Sequence, residues 1–219
     1  MSKKYNVDEL TSGKRVYEQP SVGVQEARIL RVIDMGLRKP DERFKDPKAK
    51  KPQQPKEQFL FILELADDKT EFDGKKIPML AFHYVNKAGK KPSGEHSKFT
   101  SIIEAASLDK EFDLHDFLGK AVSVTLGRKD DKSDKVKVTN VSGLSARVAD
   151  TVPDLVGDSY VLDFDSPDPK VVEKLSDNMR GRLAEALNFP GSKLEELINS
   201  VPKEDTQEQA PDDSTEAPF

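Results

Sequence analysis

The groups in this chain that could transfer protons, hold a metal or attack a substrate are few and scattered. There are three histidines, His83, His96 and His115, and no cysteine. None of the histidines has a second histidine or a glutamate at the spacing that sets two ligands on one helix face. The lack of cysteine removes thiolate nucleophiles, disulfides and thiolate-bound zinc, and suits a reducing compartment. The acidic pairs Asp67-Asp68, Asp130-Asp131 and Asp212-Asp213 fall in expected loops or in the tail and lack the alternating spacing of a calcium loop. No glycine-rich phosphate loop with its lysine follows a strand, and the Gly-x-Ser-x-Gly elbow of hydrolases is missing. Two-metal nuclease chemistry on scattered carboxylates is the enzymatic reading left open. The expectation is a protein that binds rather than catalyses, with no metal and no cofactor.

Charge is where the residue pattern is informative. Residues 1–150 hold 29 Lys/Arg against 24 Asp/Glu, while residues 151–219 hold 6 against 16, so an overall charge of −5 conceals a body of +5 and an end of −10. Segregation by sign points to an anionic partner for the body and an internal mimic of that partner at the end. From Arg38 to Lys56 eight Lys/Arg face three acids, and the stretch includes Arg38, Lys39, Arg43, Lys45, Lys48, Lys50 and Lys51 around Phe44. Lys87, Lys90 and Lys91 form a second basic stretch, and Arg128, Lys129, Lys132 and Lys135 a third. A groove for single-stranded nucleic acid needs such cations along the phosphate track and aromatic faces for the bases. Among the aromatics, Tyr84 and Phe82 face either the groove or the interior; Tyr84 is the stronger groove candidate because its hydroxyl needs water or a polar partner. Phe44 sits in a polar loop and either binds or folds back as a plug. Phe59 and Phe61 are expected in the core.

The last residues, Glu204 to Phe219, carry six carboxylates and no positive charge, and end on Phe219 after Ala217 and Pro218. With no Leu, Ile, Val or Met, this segment buries too little apolar area to offset the ordering of its backbone, so a disordered acidic tail is expected. Asp212, Asp213, Glu216 and Phe219 are its candidate contacts for a basic groove or a partner pocket.

The elements that must position these groups are mostly strands. Val22 to Met35 reads as a first strand, with a bulge or strong bend near Arg31 because Ile29/Ile33 and Leu30/Val32 alternate in conflict. Phe59 to Leu65 reads as a central strand with Phe59, Phe61, Leu63 and Leu65 facing the core and Glu64 marking the wet face. A turn at Asp73-Gly74 leads to a third strand, Ile77 to Val85. Phe99, Ile102, Ile103 and Ala106 have helical spacing. Leu114, Phe117 and Leu118 make an apolar turn ending at Gly119. Strands at 122–126 and 136–138 follow. This β-β-β-α-β-β order is that of a five-stranded OB-fold barrel, whose groove on strands 2 and 3 is flanked by the loops joining strands 1 and 2 and strands 4 and 5. The expected domains are 1–150, an OB-fold nucleic-acid-binding domain; 151–202, a helical appendage carrying −5 and docking on the barrel; and the tail, 203–219. In the appendage a short strand is expected at Tyr160 to Phe164. A helix starting near Ser166 carries the stripe Val172, Leu175, Met179, Leu183 and Leu187, and Ser192 with Glu195 opens a last helix. No apolar run is long enough to span a bilayer.

Taken in order, Gly23 with Ala27-Arg28-Ile29-Leu30-Arg31-Val32-Ile33-Asp34-Met35-Gly36, then Phe61-Ile62-Leu63-Glu64-Leu65, Asp113-Leu114 to Leu118-Gly119-Lys120, and the acidic tail closed by Phe219 resemble the single-stranded DNA-binding proteins of tailed bacteriophages. The resemblance covers residues 22–145 and the last sixteen. It implies an OB-fold protein of the bacterial host cytoplasm that coats single-stranded DNA in phage replication, recombination or repair. It also implies a tail that competes with DNA and recruits phage or host replication proteins; from the tail's charge, its removal is expected to reveal duplex binding. Two departures stand out: the chain has no Trp, and residues 151–202 exceed what a minimal OB protein needs. The alternative is an OB-like adaptor that docks replication enzymes through its tail without strong DNA binding.

Overall fold

The computed structural model describes residues 18–39, 54–72, 74–87, 97–128 and 135–201. Three long strands open the fold: β1 (Gly23–Arg38), β2 (Lys56–Phe72) and β3 (Lys75–Asn86). Helix α1 (Lys98–Ala105) and a 3-10 turn (Leu114–Phe117) follow, then β4 (Ala121–Arg128), β5 (Val136–Gly143) and the short α2 (Ala146–Ala149). The last third contains β6 (Tyr160–Leu162), α3 (Pro169–Glu173), α4 (Asp177–Ala184) and α5 (Lys193–Ser200). The protein is mainly β, with the sheet order β3-β2-β1-β4-β5. These five strands pair antiparallel, and β6 adds a parallel pairing to β1 at Arg31–Ile33. The sheet is open between its ends, since β3 and β5 share no ladder among the described residues.

One residue lets β1 serve two cores. Ile29 pairs with Leu63 but Arg31 pairs with Ile62, so Leu30 is an extra residue, at the bend expected from the sequence. In a regular strand Ile29, Arg31 and Ile33 would share a face. With the bulge, Ala27, Ile29 and Val32 join the inner core, while Leu30, Ile33 and Met35 join an outer one. The inner core gathers Phe59, Phe61, Leu63 and Leu65 of β2 with apolar residues of β3, β4, β5 and α1. Phe99 stacks on Phe59 at 5.1 Å between ring centroids, and Phe117 meets Phe61 edge-on at 5.1 Å. Packed rings of this kind add to the stabilisation from buried apolar area.

The outer core corrects one expectation. Leu60 and Ile62 are buried against Leu162, Phe164, Val172 and Leu183 of the C-terminal module, and Glu64 is buried rather than wet. Its carboxylate accepts the backbone N–H groups of Val156 (2.8 Å) and Gly157 (2.9 Å), which anchors the segment leading to β6. The continuous apolar run of β2 is therefore that of a strand covered on both sides. The single helix expected beyond Ser166 is two: α3 starts at the cap Asp168 with Pro169 behind it, and α4 restarts at Ser176, whose hydroxyl accepts the Met179 N–H. Leu187, expected on the apolar stripe, is exposed, and its N–H donates to the Leu37 carbonyl at 2.8 Å. At α5 Ser192 caps Glu195 N–H as expected, while the Glu195 carboxylate reaches back to Gly191 N–H.

Gly36 is the seat of the module. Its φ is +71°, and a Cβ there would lie 2.6 Å from Phe164, 2.7 Å from the Asn188 amide oxygen and 2.9 Å from Ala186. Only glycine meets both the left-handed backbone and the close approach. Next to it, Leu37 N–H donates to Asn188 Oδ1 at 2.8 Å. Arg38 reaches the carbonyls of Met35 and Arg182 and the carboxylate of Glu185.

Candidate nucleic-acid interface

The alternation in β3 sets up the site. Met79, Ala81, His83 and Val85 point into the inner core, and Leu80, Phe82 and Tyr84 point outward. Phe82 is 50% exposed and Tyr84 36%, so the ring faces that sequence left undecided are turned to the outer side. They lie along a groove of about 1150 Å³ that runs between β3 and β5 and is closed on one side by Met179 and Arg182 of α4. Arg31, Lys135 and Lys137 also line it. The Arg182 guanidinium donates to the Tyr84 hydroxyl, with Cζ 5.9 Å from the ring centroid. Arg31 lies over the Tyr160 ring at 4.7 Å, a cation–π contact, and donates to the Asp158 carbonyl at 2.9 Å.

The other candidate cations have varied fates. Arg38 is turned into the module contact, and burial lowers its pKa from the usual arginine value against the opposing effect of Glu185. That assigns its side chain to holding α4. Lys39 and Arg128 are exposed at the ends of β1 and β4, where the first and third basic stretches begin. Lys87 is exposed and ion-paired with Glu57 at 2.6 Å. Arg43, Phe44, Lys45, Lys48, Lys50, Lys51, Lys90, Lys91, Lys129 and Lys132 lie outside the described residues, as do Asp212, Asp213, Glu216 and Phe219.

Two titratable groups are perturbed by burial away from the groove. Burial, with the Lys98 charge adding to it, pushes the His83 imidazole down to about 4, so it is neutral at pH 7. Burial pushes the Asp34 carboxyl up to about 6; a hydrogen bond from Gly36 N–H opposes the rise, and the charges of Asp163, Glu57 and Asp165 add to it. Asp68 is held below the usual carboxylate range: slight burial raises it, but hydrogen bonds from Gln25 and Ser21 outweigh that. Among the described residues no three His, Asp or Glu are grouped to hold a metal. No described helix is long and apolar enough to cross a membrane.

Sequence reasoning missed Arg182. It sits in a module whose net charge is −5, and nothing in its local spacing marks it as a groove residue. It also missed Gly36 as a docking seat and Glu64 as an anchor; the signal available for Glu64 was the unbroken apolar run before it, which indicates a strand covered on both faces.

No protein-family model matches this chain, and no curated protein matches it.

Proposed function

We propose that this chain binds single-stranded DNA in the groove along the outer face of β3, as an OB-type protein without enzymatic activity. The observation that carries the reading is the pair of exposed aromatics on β3, Phe82 and Tyr84, beside a groove lined by Arg31, Lys135, Lys137 and Arg182. Stacking on aromatic faces tolerates any base, and cations along the track take the phosphates. The sheet order β3-β2-β1-β4-β5 also supports it, because an OB barrel has that order before its third and fifth strands close. The cation-rich connections from β1 to β2 and from β4 to β5 adjoin this side of an OB barrel. On this reading the acidic tail competes with DNA for the groove and presents Phe219 to a replication partner, and the setting is phage DNA replication, recombination or repair.

A gel shift with single- and double-stranded DNA tests the reading. Full-length protein is expected to bind single strands of any sequence, with log K falling against log salt at a slope near −3.5 if about five phosphates are neutralised. Reversing the charges of Lys48, Lys50 and Lys51 is expected to weaken binding without unfolding the sheet. Deleting residues 203–219 is expected to raise affinity most at low salt, because a tethered competitor acts at roughly millimolar effective concentration and salt screens it. Salt-independent binding, or preference for one short sequence, would overturn the proposal.

A further inference from the structure

We propose that the C-terminal module is one wall of the strand-binding groove, and that Arg182 is the phosphate contact this wall supplies. The proposal rests on the single-strand reading above and extends it to a segment whose acidic composition argues against contact with DNA.

The case begins with how Arg182 is held. Its Nε donates to Asn178 Oδ1 at 3.0 Å and one terminal nitrogen donates to the Tyr84 hydroxyl. Both partners are neutral, and among the described residues Arg182 forms no ion pair, whereas Arg28, Arg38 and Arg180 each pair with a carboxylate. A guanidinium has five N–H donors, so these two bonds leave three for a ligand. The planar fork suits a phosphate, which can accept from two of them at once.

Position makes that charge useful. Asn178 lies one helical turn before Arg182 on α4 and fixes the direction of the side chain. The Arg182 carbonyl is itself held by Arg38 from the end of β1, so helix and sheet keep a fixed separation at this point. Beside it, Phe82 and Tyr84 alternate onto one face of β3, about 6.7 Å apart along the strand, which offers platforms to successive bases. Base faces, and next to them a cation with no carboxylate partner among the described residues, are the two parts that one nucleotide needs. A bound phosphate would take up the free donors while the bond to the Tyr84 hydroxyl stays in place.

The experiment titrates the full-length protein with short oligo(dT) over a range of salt. Arg182→Ala is expected to weaken binding about five- to tenfold at low salt and to reduce the magnitude of the salt slope by about 0.7, the share of one phosphate on a single strand. Arg182→Lys keeps the charge and is expected to keep the slope. Phe82→Ala is expected to weaken binding about tenfold with the slope unchanged, since stacking releases no counterion. If Arg182→Ala binds with wild-type affinity and slope while the Lys48, Lys50 and Lys51 reversal loses binding, the wall proposal is overturned and the single-strand reading stands. If the Lys variant loses slope as the Ala variant does, module integrity is being read instead of charge, and the wall proposal again fails. Wild-type protein that does not bind oligo(dT) removes the single-strand reading itself.

Discussion

Leu60 and Ile62 on β2 are directly opposite Tyr84 and Phe82 on β3, on the same outer face of one sheet. The β2 pair is 0% and 4% exposed, and the β3 pair is 36% and 50% exposed. Neighbouring strands thus differ because the C-terminal module stops one strand short. It covers β1 and β2 with Phe164, Val172 and Leu183, and at β3 it leaves Leu80 only partly buried and makes a polar contact from Arg182 to Tyr84. The side chains follow the division: branched aliphatics where the face is packed, and aromatics, with broad faces and a polar tip on Tyr84, where it is not. A sheet face is thereby split into a packed half and an open half.

The sharpest way to break that comparison is at the seat of the module. Gly36→Ala places a Cβ within 3 Å of three atoms and forces alanine into the left-handed region, for a destabilisation of about 3 kcal/mol or more. Urea unfolding should show a lowered midpoint, and a variant as stable as the wild type would mean that the module is not seated on β1. Next in size is Glu64→Ala, which strips acceptors from two backbone N–H groups at the other anchor, for about 2 kcal/mol. Amide exchange at Val156 and Gly157 should accelerate; unchanged protection there would show that the carboxylate does not hold this segment.

A smaller effect separates the two cores by pH. His83, depressed to about 4, contributes stability that is present above 6.5 and is lost as pH falls toward 4. Asp34, raised to about 6, acts in the opposite sense: its contribution is complete below 3.8 and is lost as pH rises through 6. Between pH 6 and 4 the two nearly cancel. Asp34→Asn removes one side of the balance and is expected to gain about 1–2 kcal/mol at pH 7, after discounting for solvent screening. The variant should then lose stability on acidification below pH 6.5, where the wild type stays nearly level. Parallel stability–pH curves for the two proteins would contradict the Asp34 assignment, and a variant whose stability stays level between pH 6.5 and 4 would contradict the His83 one. The smallest change belongs to the open half: Phe82→Ala should alter stability by less than about 0.5 kcal/mol. A large loss there would show that the ring is packed and unavailable to a ligand.

The strands were legible because their signals are local. Alternation marked β3, β4 and the inner face of β2, and the conflict of phase between Ile29/Ile33 and Leu30/Val32 marked the bulge in β1. That the C-terminal module docks on the strands was expected, but which face it covers was not legible, because the cover is built from contacts such as Leu37 with Asn188, 151 residues apart, which no window of sequence contains. Glu64 misled for the same reason: a lone acid in an apolar strand looks like a wet position until its two N–H partners arrive from residues 156 and 157. The split of the stripe after Val172 into α3 and α4 was missed because Ser176 competes for the backbone as a cap in the middle of an apolar period. The groove aromatics could be assigned to a strand but not to a side, since a period of two fixes which residues share a face and not which face is covered.

The distance in sequence between β1 and its cover has a consequence for synthesis. β1 and β2 are complete by residue 72, but their outer face is sealed only by residues 160–194. At about 5–20 residues per second, roughly ten seconds pass on the ribosome between the two events. Throughout that interval Leu30, Ile33, Leu60 and Ile62 form an uncovered oily stripe, and a nascent chain cut short before Tyr160 would carry that stripe permanently and should be prone to aggregate.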